Sequence, residues 1–244
     1  MQKKTTYMIF RPINKPISNI AVKFEGNCIA HVREQKFLGV WFQEELNWNT
    51  HVNHLITALA RIVGCFFRSM HLIPLRLKIS MYYALFHSKV SYGMLVWGTT
   101  SQGNYHKLIT IQKKILRCFE NYRGNLQDLR TAPLFIKHSI LRIDQLYHFK
   151  LLQLLQKTKL YEESCTERPH YSLREQKKRA PRTRTKYGKQ SIAYQVPQVL
   201  NTLADQLNFR ASSATFKKQI KNLFITTGLH YRNYVMESHA SANA

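Results

Sequence analysis

The sequence predicts an α+β protein that is mainly α-helical, with a small antiparallel β piece at the N terminus, a helical bundle after it and further helices at the C terminus. Three observations predict this fold class. Apolar residues tend to alternate with polar ones in the first 48 residues, which is typical of strands. From residue 49 they recur every three or four residues, which is typical of amphipathic helices. Hydrophobic residues make up 44% of the 244, which is enough to form a core.

Short β-rich runs separated by turn residues occupy residues 1–48. The run from Thr6 to Phe10 stops at Pro12, which cannot donate to a sheet ladder. A run in which apolar and polar residues alternate is followed by a turn at residues 25–27, and this pattern predicts a hairpin. Residues 36–42 predict another strand with Gly39 in its middle. A glycine inside a strand often marks a bulge or a close approach to the backbone.

Helical periodicity predicts six helices in the rest of the chain. Asn49 or Thr50 is the expected cap of the first, because their side chains accept hydrogen bonds from a free helix start. Ser212 or Ser213 is the expected cap of the last. The fourth is apolar nearly all round, so we expect it to be buried on several sides. The predicted helices cover residues 49–70, a stretch starting near residue 74, residues 102–122, 136–157 and 191–207, and a stretch after residue 212.

The composition is strongly basic, with 37 lysines and arginines against 13 aspartates and glutamates and a formal charge of +24. Self-repulsion on that scale destabilises a compact chain unless a polyanion neutralises it. Nucleic acid is the first candidate for this polyanion, and an anionic membrane surface is the second. No apolar stretch is long enough to span a bilayer. A basic structural protein of the ribosomal or chromatin kind is the alternative.

The basic residues with the clearest pattern fall into three groups. Two arginines share the polar face of the first helix, and three lysines and an arginine lie outside the core face of the third. The densest group lies in residues 161–190, where two prolines break any helix, so we predict a flexible basic linker there. A solvated or nuclear-localisation-like stretch is the alternative for this linker. The candidate phosphate contacts are Arg61, Arg68, Lys107, Lys113, Lys114, Arg117, Lys177, Lys178, Arg179, Arg182 and Arg184.

Acidic residues are too few and too scattered for two-metal phosphoryl transfer, which uses clustered carboxylates. The only aspartates are Asp128, Asp144 and Asp205, and the adjacent Glu44 and Glu45 are expected to decorate a loop. The residues themselves therefore predict no catalytic group, no metal ligand and no cofactor.

Histidines and cysteines give no metal-site pattern. His51 and His54 share a helix face without a matching carboxylate or thiol pair, so we expect both to lie on the polar face. The four cysteines lie far apart, without the close pairs that zinc sites need. Scattered cysteines and the lack of an apolar signal segment favour an intracellular protein, nuclear or cytoplasmic, over a secreted one.

A series of short motifs runs through the chain. Near the N terminus, Lys4, Thr5, Met8 and Phe10 match the pattern K-T-x-x-M-x-F. The later motifs are Phe37-Leu38-Gly39, Leu46-Asn47-Trp48 before His51, Tyr92-Gly93 before Trp97-Gly98, Ile111 to Lys114, and Tyr187-Gly188. In this order they resemble the C-terminal part of the reverse transcriptases of non-LTR (LINE-type, jockey- and chicken-repeat-like) retrotransposons. The resemblance covers almost the whole chain.

This resemblance implies a division into four parts. Residues 1–48 would be the end of the palm with its primer-grip strand, and residues 49–160 the helical thumb and the helices that follow it. Residues 161–190 would be the linker, and residues 191–244 the C-terminal helical segment. The primer grip adds Phe37, Leu38 and Gly39 to the candidate nucleic-acid contacts, and Lys4 would match a palm lysine.

The resemblance also implies a function. The chain would be a C-terminal fragment of an RNA-directed DNA polymerase that still binds RNA or an RNA–DNA hybrid. In this family the catalytic aspartates lie upstream of the K-T motif, together with the rest of the palm and the fingers. We therefore expect the chain to be inactive alone and without the Mg²⁺ of the full-length enzymes. The alternative is a stand-alone basic nucleic-acid-binding structural protein with no enzymatic role.

Overall fold

The computed structural model describes residues 5–12, 14, 21–125, 128–163, 178–203 and 206–227. These residues are mainly helical, and three small two-stranded β pieces precede the first helix. The predicted class, α+β and mainly α, is confirmed.

Short strands, paired two by two, form the N-terminal part. β1 (Thr6–Tyr7) and β4 (Ala30–His31) are parallel, while β2 (Lys23–Phe24) with β3 (Asn27–Cys28) and β5 (Glu34–Phe37) with β6 (Val40–Gln43) are antiparallel. The predicted hairpin at residues 25–27 is confirmed, and two of the three strand pairs are antiparallel, as expected. β1 and β4 can run in parallel because the intervening chain is long enough to return in the same direction.

Gly39 lies in a turn and not in the middle of a strand. β5 and β6 pair with Phe37 opposite Val40, so Leu38 and Gly39 are the two turn residues. Their φ angles are 44° and 82°, and positive φ at both positions is the signature of the tight turn that suits a twisted hairpin. The prediction of one strand over residues 36–42 is therefore wrong.

The helical part begins with the predicted long helix, α1 (Asn49–Ser69). After it, α2 (Leu75–Met81), a π-helical turn (Tyr82–His87) and α3 (Ser88–Ser91) follow one another directly. A short α4 (Met94–Trp97) leads to α5 (Gln102–Phe119), whose cap Ser101 accepts the N–H of Asn104. The predicted helices at residues 49–70 and 102–122 and the start near residue 74 are confirmed.

The first turn of α1 is held by residues that precede it. The residue before the helix is Trp48, in a left-handed conformation with φ of 64°. The side chain of Asn47 accepts the N–H of Asn49, and the side chain of Gln43 accepts the N–H of Thr50, each at 3.0 Å. The prediction that Asn49 or Thr50 caps the helix is wrong, because β6 supplies an acceptor in their place.

Two helices replace the single one predicted over residues 136–157. α6 (Ala132–Lys137) is followed two residues later by Ser139, which has a positive φ of 49° and stops the helix from continuing. The chain then extends to Arg142, whose backbone N–H donates to Gln145 Oε1 at 3.0 Å and starts α7 (Ile143–Thr158). The fold continues with α8 (Leu160–Glu163), a 3₁₀ turn (Gly188–Gln190), α9 (Ile192–Leu203) and α10 (Ser213–Thr227).

The core is built around α1 and α5, which run side by side in the same direction. Asn104 donates to Asn49 at 2.8 Å near their N-terminal ends, and the rings of Phe66 and Phe119 lie 6.2 Å apart near their C-terminal ends. The buried Gln112 of α5 donates to Tyr82 and to the carbonyl of Leu141. This side chain therefore joins the π turn to the start of α7. Within the described ranges, no helix has the length and apolarity needed to cross a bilayer.

Residues 178–190, called the basic segment below, are hydrogen-bonded to the fold at both ends. The backbone of Lys178 exchanges two hydrogen bonds with the side chain of Asn201 on α9, at 2.8 and 2.9 Å. At the other end, Gln190 accepts from the indole of Trp48 at 2.8 Å and donates to the carbonyl of Leu46 at 2.9 Å. The described part of the predicted flexible linker is thus tied to α9 and to the start of α1.

Candidate nucleic-acid interface

A cleft of about 570 Å³ lies between the β5–β6 hairpin, α1 and α3, and we call it the hairpin cleft. The predicted primer-grip residues form the hairpin tip on its rim. Phe37 is 63% exposed and Leu38 is 74% exposed, while Gly39 lines the cleft itself. The side chains that line the cleft are those of Lys36, Trp41, His51, His54, Leu55, Ala58, Ser88, Lys89 and Tyr92.

The hairpin tip is fixed by Tyr92, the residue that follows α3. Its hydroxyl donates to the carbonyl of Leu38 at 2.6 Å. A methyl group added at Gly39 would lie 3.2 Å from the Tyr92 ring, and one added at Gly93 would lie 3.0 Å from Val40. The two glycines therefore allow the hairpin to pack closely against the turn after α3.

Aromatic rings form one wall of the cleft. The indole of Trp41 on β6 stacks on the imidazole of His54 on α1, with centroids 4.5 Å apart and planes 11° from parallel. Tyr92 is 56% exposed beside them. Trp97, which follows Tyr92 in the same motif, is fully buried and donates to the carbonyl of Tyr92. The cleft therefore offers Trp41, His54 and Tyr92 to a base, and Trp97 belongs to the core.

His51 supports this wall from beneath. It is buried, and its Nδ1 accepts the backbone N–H of Trp41 at 3.4 Å. Burial, and to a lesser extent the neighbouring His54, lowers the pKa of His51 to about 4. His51 is therefore neutral near pH 7 and can act as an acceptor. The prediction that it lies on the polar face is wrong, because the hairpin folds over this side of α1.

Positive charge extends from the cleft along α1. Lys36 and Lys89 stand at the cleft on opposite walls, and none of the described lining residues is acidic. Positions 54, 61 and 68 lie on one side of an α-helix, so Arg61 and Arg68, both exposed, follow His54 along the surface. The two predicted arginines of α1 thus belong to the same basic track as the hairpin cleft.

The predicted cations of α5 lie apart from the hairpin cleft. Lys107 and Lys114 are exposed, while Lys113 and Arg117 are partly buried. Lys113 lines a separate cavity of about 270 Å³ with Phe135 of α6 and Phe224 of α10. The structure therefore does not bring this group together with the primer-grip residues.

The predicted cations of the linker are only partly described. Lys4 and Lys177 lie outside the described residues. Lys178 is partly buried, and its Nζ lies 3.5 Å from the carbonyl of Tyr161. Arg179, Arg182 and Arg184 are exposed along the basic segment. These three arginines form a second positive surface, which ends near the start of α1.

Four residues of the hairpin cleft escaped the sequence analysis: Lys36, Trp41, His54 as a stacking partner, and Lys89. A signal for two of them exists in the hairpin register, because Lys36 pairs with Trp41 across the two strands. Once a two-residue turn is placed at residues 38–39, both side chains fall on the same face of the hairpin. Lys89 carries no comparable signal, since only the packing of α3 brings it to the cleft.

Two carboxylates, Glu44 after β6 and Asp144 of α7, are buried and form ion pairs inside the protein. Glu44 is 3% exposed, and its two oxygens lie 3.0 Å from Arg11 Nε and His31 Nε2. The expectation that it decorates a loop is wrong, because Arg11 and His31 cover its side chain in the turn after β6. Asp144 is fully buried and pairs with Arg142 at 2.7 Å. In the described part of the chain, no three His, Cys, Asp or Glu residues are grouped to hold a metal ion.

Comparisons with protein-family models, with curated proteins and with solved structures found no match to this chain.

Proposed function

We propose that this chain is a nucleic-acid-binding protein that holds RNA or an RNA–DNA hybrid in the hairpin cleft and along α1. The observation that carries the proposal is the composition of the cleft. Stacked aromatic rings, two lysines and an exposed apolar hairpin tip meet there without an acidic residue. Cations attract the phosphate backbone, and aromatic faces stack on bases of any sequence.

Each part of the cleft has a distinct role in this proposal. Lys36 and Lys89 contact phosphates from the two walls, and Arg61 and Arg68 extend the contact along α1. Trp41 and Tyr92 present ring faces to bases. Gly39 lets the backbone of the hairpin tip approach the nucleic-acid strand closely. Because none of these contacts reads a base edge, we expect binding with little sequence preference.

The proposed origin of the chain is the end of the palm, the primer grip and the thumb of a LINE-type reverse transcriptase. Support comes from the motif order and from the position of Phe37-Leu38-Gly39 at the tip of a hairpin next to a helical bundle. In this proposal the chain does not catalyse DNA synthesis alone, because two-metal chemistry uses clustered carboxylates and the described residues contain no such cluster. The compartment is intracellular, nuclear or cytoplasmic, which suits the free thiols of Cys28 and Cys65.

A binding experiment tests the site. We expect the purified chain to bind an RNA–DNA hybrid in a fluorescence-anisotropy titration, with affinity that falls steeply as salt increases. The double variant Lys36→Ala/Lys89→Ala removes two phosphate contacts, so the slope of log affinity against log salt should become shallower by about two. The matched control is Lys107→Ala/Lys114→Ala, which removes two exposed lysines of α5. Equal losses in both variants would contradict the assignment to the hairpin cleft.

A primer-extension assay tests the absence of activity. With a primed RNA template, deoxynucleotides and Mg²⁺, we expect no extended product from the chain alone. An amount of extended primer that increases with protein concentration would overturn this part of the proposal. Such activity would require a carboxylate site outside the described residues.

The second candidate is a stand-alone basic structural protein that binds polyanions over its whole surface. The exposed cations on α5 and on the basic segment, away from the cleft, favour it. Genomic or transcript sequence upstream of residue 1 separates the two. A remnant coding for the family's aspartate motif favours the polymerase origin, whereas a promoter directly upstream favours the stand-alone protein.

A further inference from the structure

A second basic cleft lies at the C-terminal end of α7, and it shares no helix or strand with the hairpin cleft. It has a volume of about 550 Å³ between the end of α7, α8 and the loop that leads into α10. Four cations line it: Lys157, Lys159, Arg210 and Lys217. All four are exposed, and none of the described residues that line the cleft is acidic. We call it the C-terminal cleft.

The position of two of these cations is unfavourable unless an anion is present. Lysines near the C-terminal end of α7 stabilise its helix dipole, which explains Lys157 and Lys159. Arg210 and Lys217, in contrast, flank the N-terminal end of α10, where the helix dipole is positive. The first turn of α10 contains no acidic residue. The positive end of the α10 dipole and the positive charges of Arg210 and Lys217 therefore lie close together here.

A glutamine of α7 fixes one side of the cleft. The amide of Gln156 donates to the carbonyls of Phe209 and Ala211, at 3.4 and 2.8 Å. The loop that leads into α10 is therefore held to α7, and Arg210 in this loop keeps its place at the cleft.

The cleft also has an aromatic side. Tyr161 of α8 and Phe209 stack with centroids 4.9 Å apart and planes 26° from parallel. Gln156 holds the loop after Phe209 to α7, so the cation of Arg210 and this aromatic pair keep a fixed relation to α7. A rigid wall of this kind favours a ligand that has both a charged and a flat group.

We propose that the C-terminal cleft is a second anion site, which binds a phosphate group through Arg210, Lys217 and Lys157. The phosphate can belong to a nucleic-acid strand or to a free mononucleotide, since the contacts are the same for both. This site does not depend on the hairpin cleft, and it remains if the hairpin cleft binds nothing.

The test uses the full chain and three probes: inorganic phosphate, adenosine monophosphate and a short single-stranded RNA. Binding is measured by isothermal titration calorimetry at low salt. The variant Arg210→Ala/Lys217→Ala should weaken binding of the effective probes at least about tenfold, because charged contacts to phosphate are lost. The control Lys23→Ala/Arg76→Ala removes two exposed cations that line neither cleft, and it should leave binding unchanged. The hairpin variant Lys36→Ala/Lys89→Ala should leave phosphate and mononucleotide binding unchanged.

The single variants Arg210→Ala and Lys217→Ala separate the binding role from a structural one. Both side chains are exposed, so we expect weaker phosphate binding and an unchanged thermal unfolding temperature. If only RNA binds, and this binding is lost in Arg210→Ala/Lys217→Ala, the phosphate belongs to a nucleic-acid strand. If the mononucleotide binds, the phosphate belongs to a free ligand. No binding of any probe, or an equal loss in the control variant, would overturn the proposal.

Discussion

The hydroxyl of Tyr92 donates a 2.6 Å hydrogen bond to the backbone carbonyl of Leu38, across 54 positions of sequence. This bond joins the end of α3 to the tip of the β5–β6 hairpin. It sets the position of the exposed Phe37 and Leu38 relative to the rings of Trp41 and His54. The shape of the hairpin cleft therefore depends on a single side chain.

We expect Tyr92→Phe to loosen the hairpin tip while leaving the helical core intact. A hydrogen bond of this kind contributes about 1 kcal/mol. The phenylalanine ring still packs against Gly39. Amide hydrogen exchange at residues 37–40 should become faster, and affinity for an RNA–DNA hybrid should fall. Unchanged exchange and unchanged affinity would show that the bond does not position the tip.

Gly39→Ala is expected to destabilise the hairpin by about 1 kcal/mol. Gly39 has a φ of 82°, which costs an L-residue roughly that amount, and the new methyl would lie 3.2 Å from the Tyr92 ring. Gly64→Ala is the matched control. Gly64 lies inside α1 with no atom within 4 Å of an added methyl, so alanine should stabilise by about 0.5–1 kcal/mol. Urea unfolding measures both, and two shifts of the same sign would contradict the expectation.

Gln190→Ala is expected to release the end of the basic segment from the start of α1. The change removes hydrogen bonds to Trp48 and Leu46. Trypsin should then cleave faster after Arg182, Arg184 and Lys186, since these exposed sites are protected only by the two anchors. Mass spectrometry of timed digests identifies the cleaved bonds. The control is Gln195→Ala, which removes a single local bond to the carbonyl of Lys189 and should change cleavage less.

Stability should decrease as the pH falls from about 6.5 toward about 4. Burial is the main reason that the pKa of His51 and of His87 is lowered to about 4 and that of His148 to about 3. The unfolded chain then takes up protons in this range while the folded chain does not. The free energy of unfolding therefore decreases as the pH decreases. Above the unfolded pKa the stability is fully present.

Urea unfolding at several pH values measures this decrease. The variant His87→Gln removes one contributor and should give a shallower decline, by up to about 1.4 kcal/mol for each unit of lowered pKa that is removed. A free energy of unfolding that stays constant across this pH range would contradict the assignment of these histidines as neutral and buried.

Helices were the most predictable part of the fold, because their signal is local. The apolar spacing in residues 49–70 and 102–122 reports which face of a helix is buried, and α1 and α5 follow it closely. The break at Ser139 was missed because a serine in a left-handed conformation carries no composition signal, and the apolar pattern continues on both sides of it.

The burial of several polar residues was missed because it depends on partners far away in sequence. Glu44 is buried because Arg11 and His31 reach it, and His51 is buried because the hairpin covers it. Lys78, only 2% exposed, donates to the carbonyl of Cys118 and to Asn121 at the end of α5. A charged residue gives no hint in sequence that a distant partner will compensate for its burial. The hairpin tip was not predicted, because the apolar residues around Gly39 have the pattern of one continuous strand.

The bond between Trp48 and Gln190 also has a consequence for how the chain is made. The two residues lie 142 positions apart, so the indole of Trp48 leaves the ribosome long before its partner is synthesised. At a translation rate of about 5–20 residues per second, that delay is roughly ten seconds or more. During this time the start of α1 and the neighbouring hairpin are without their C-terminal anchor, and a nascent chain at this stage is a natural client for a chaperone.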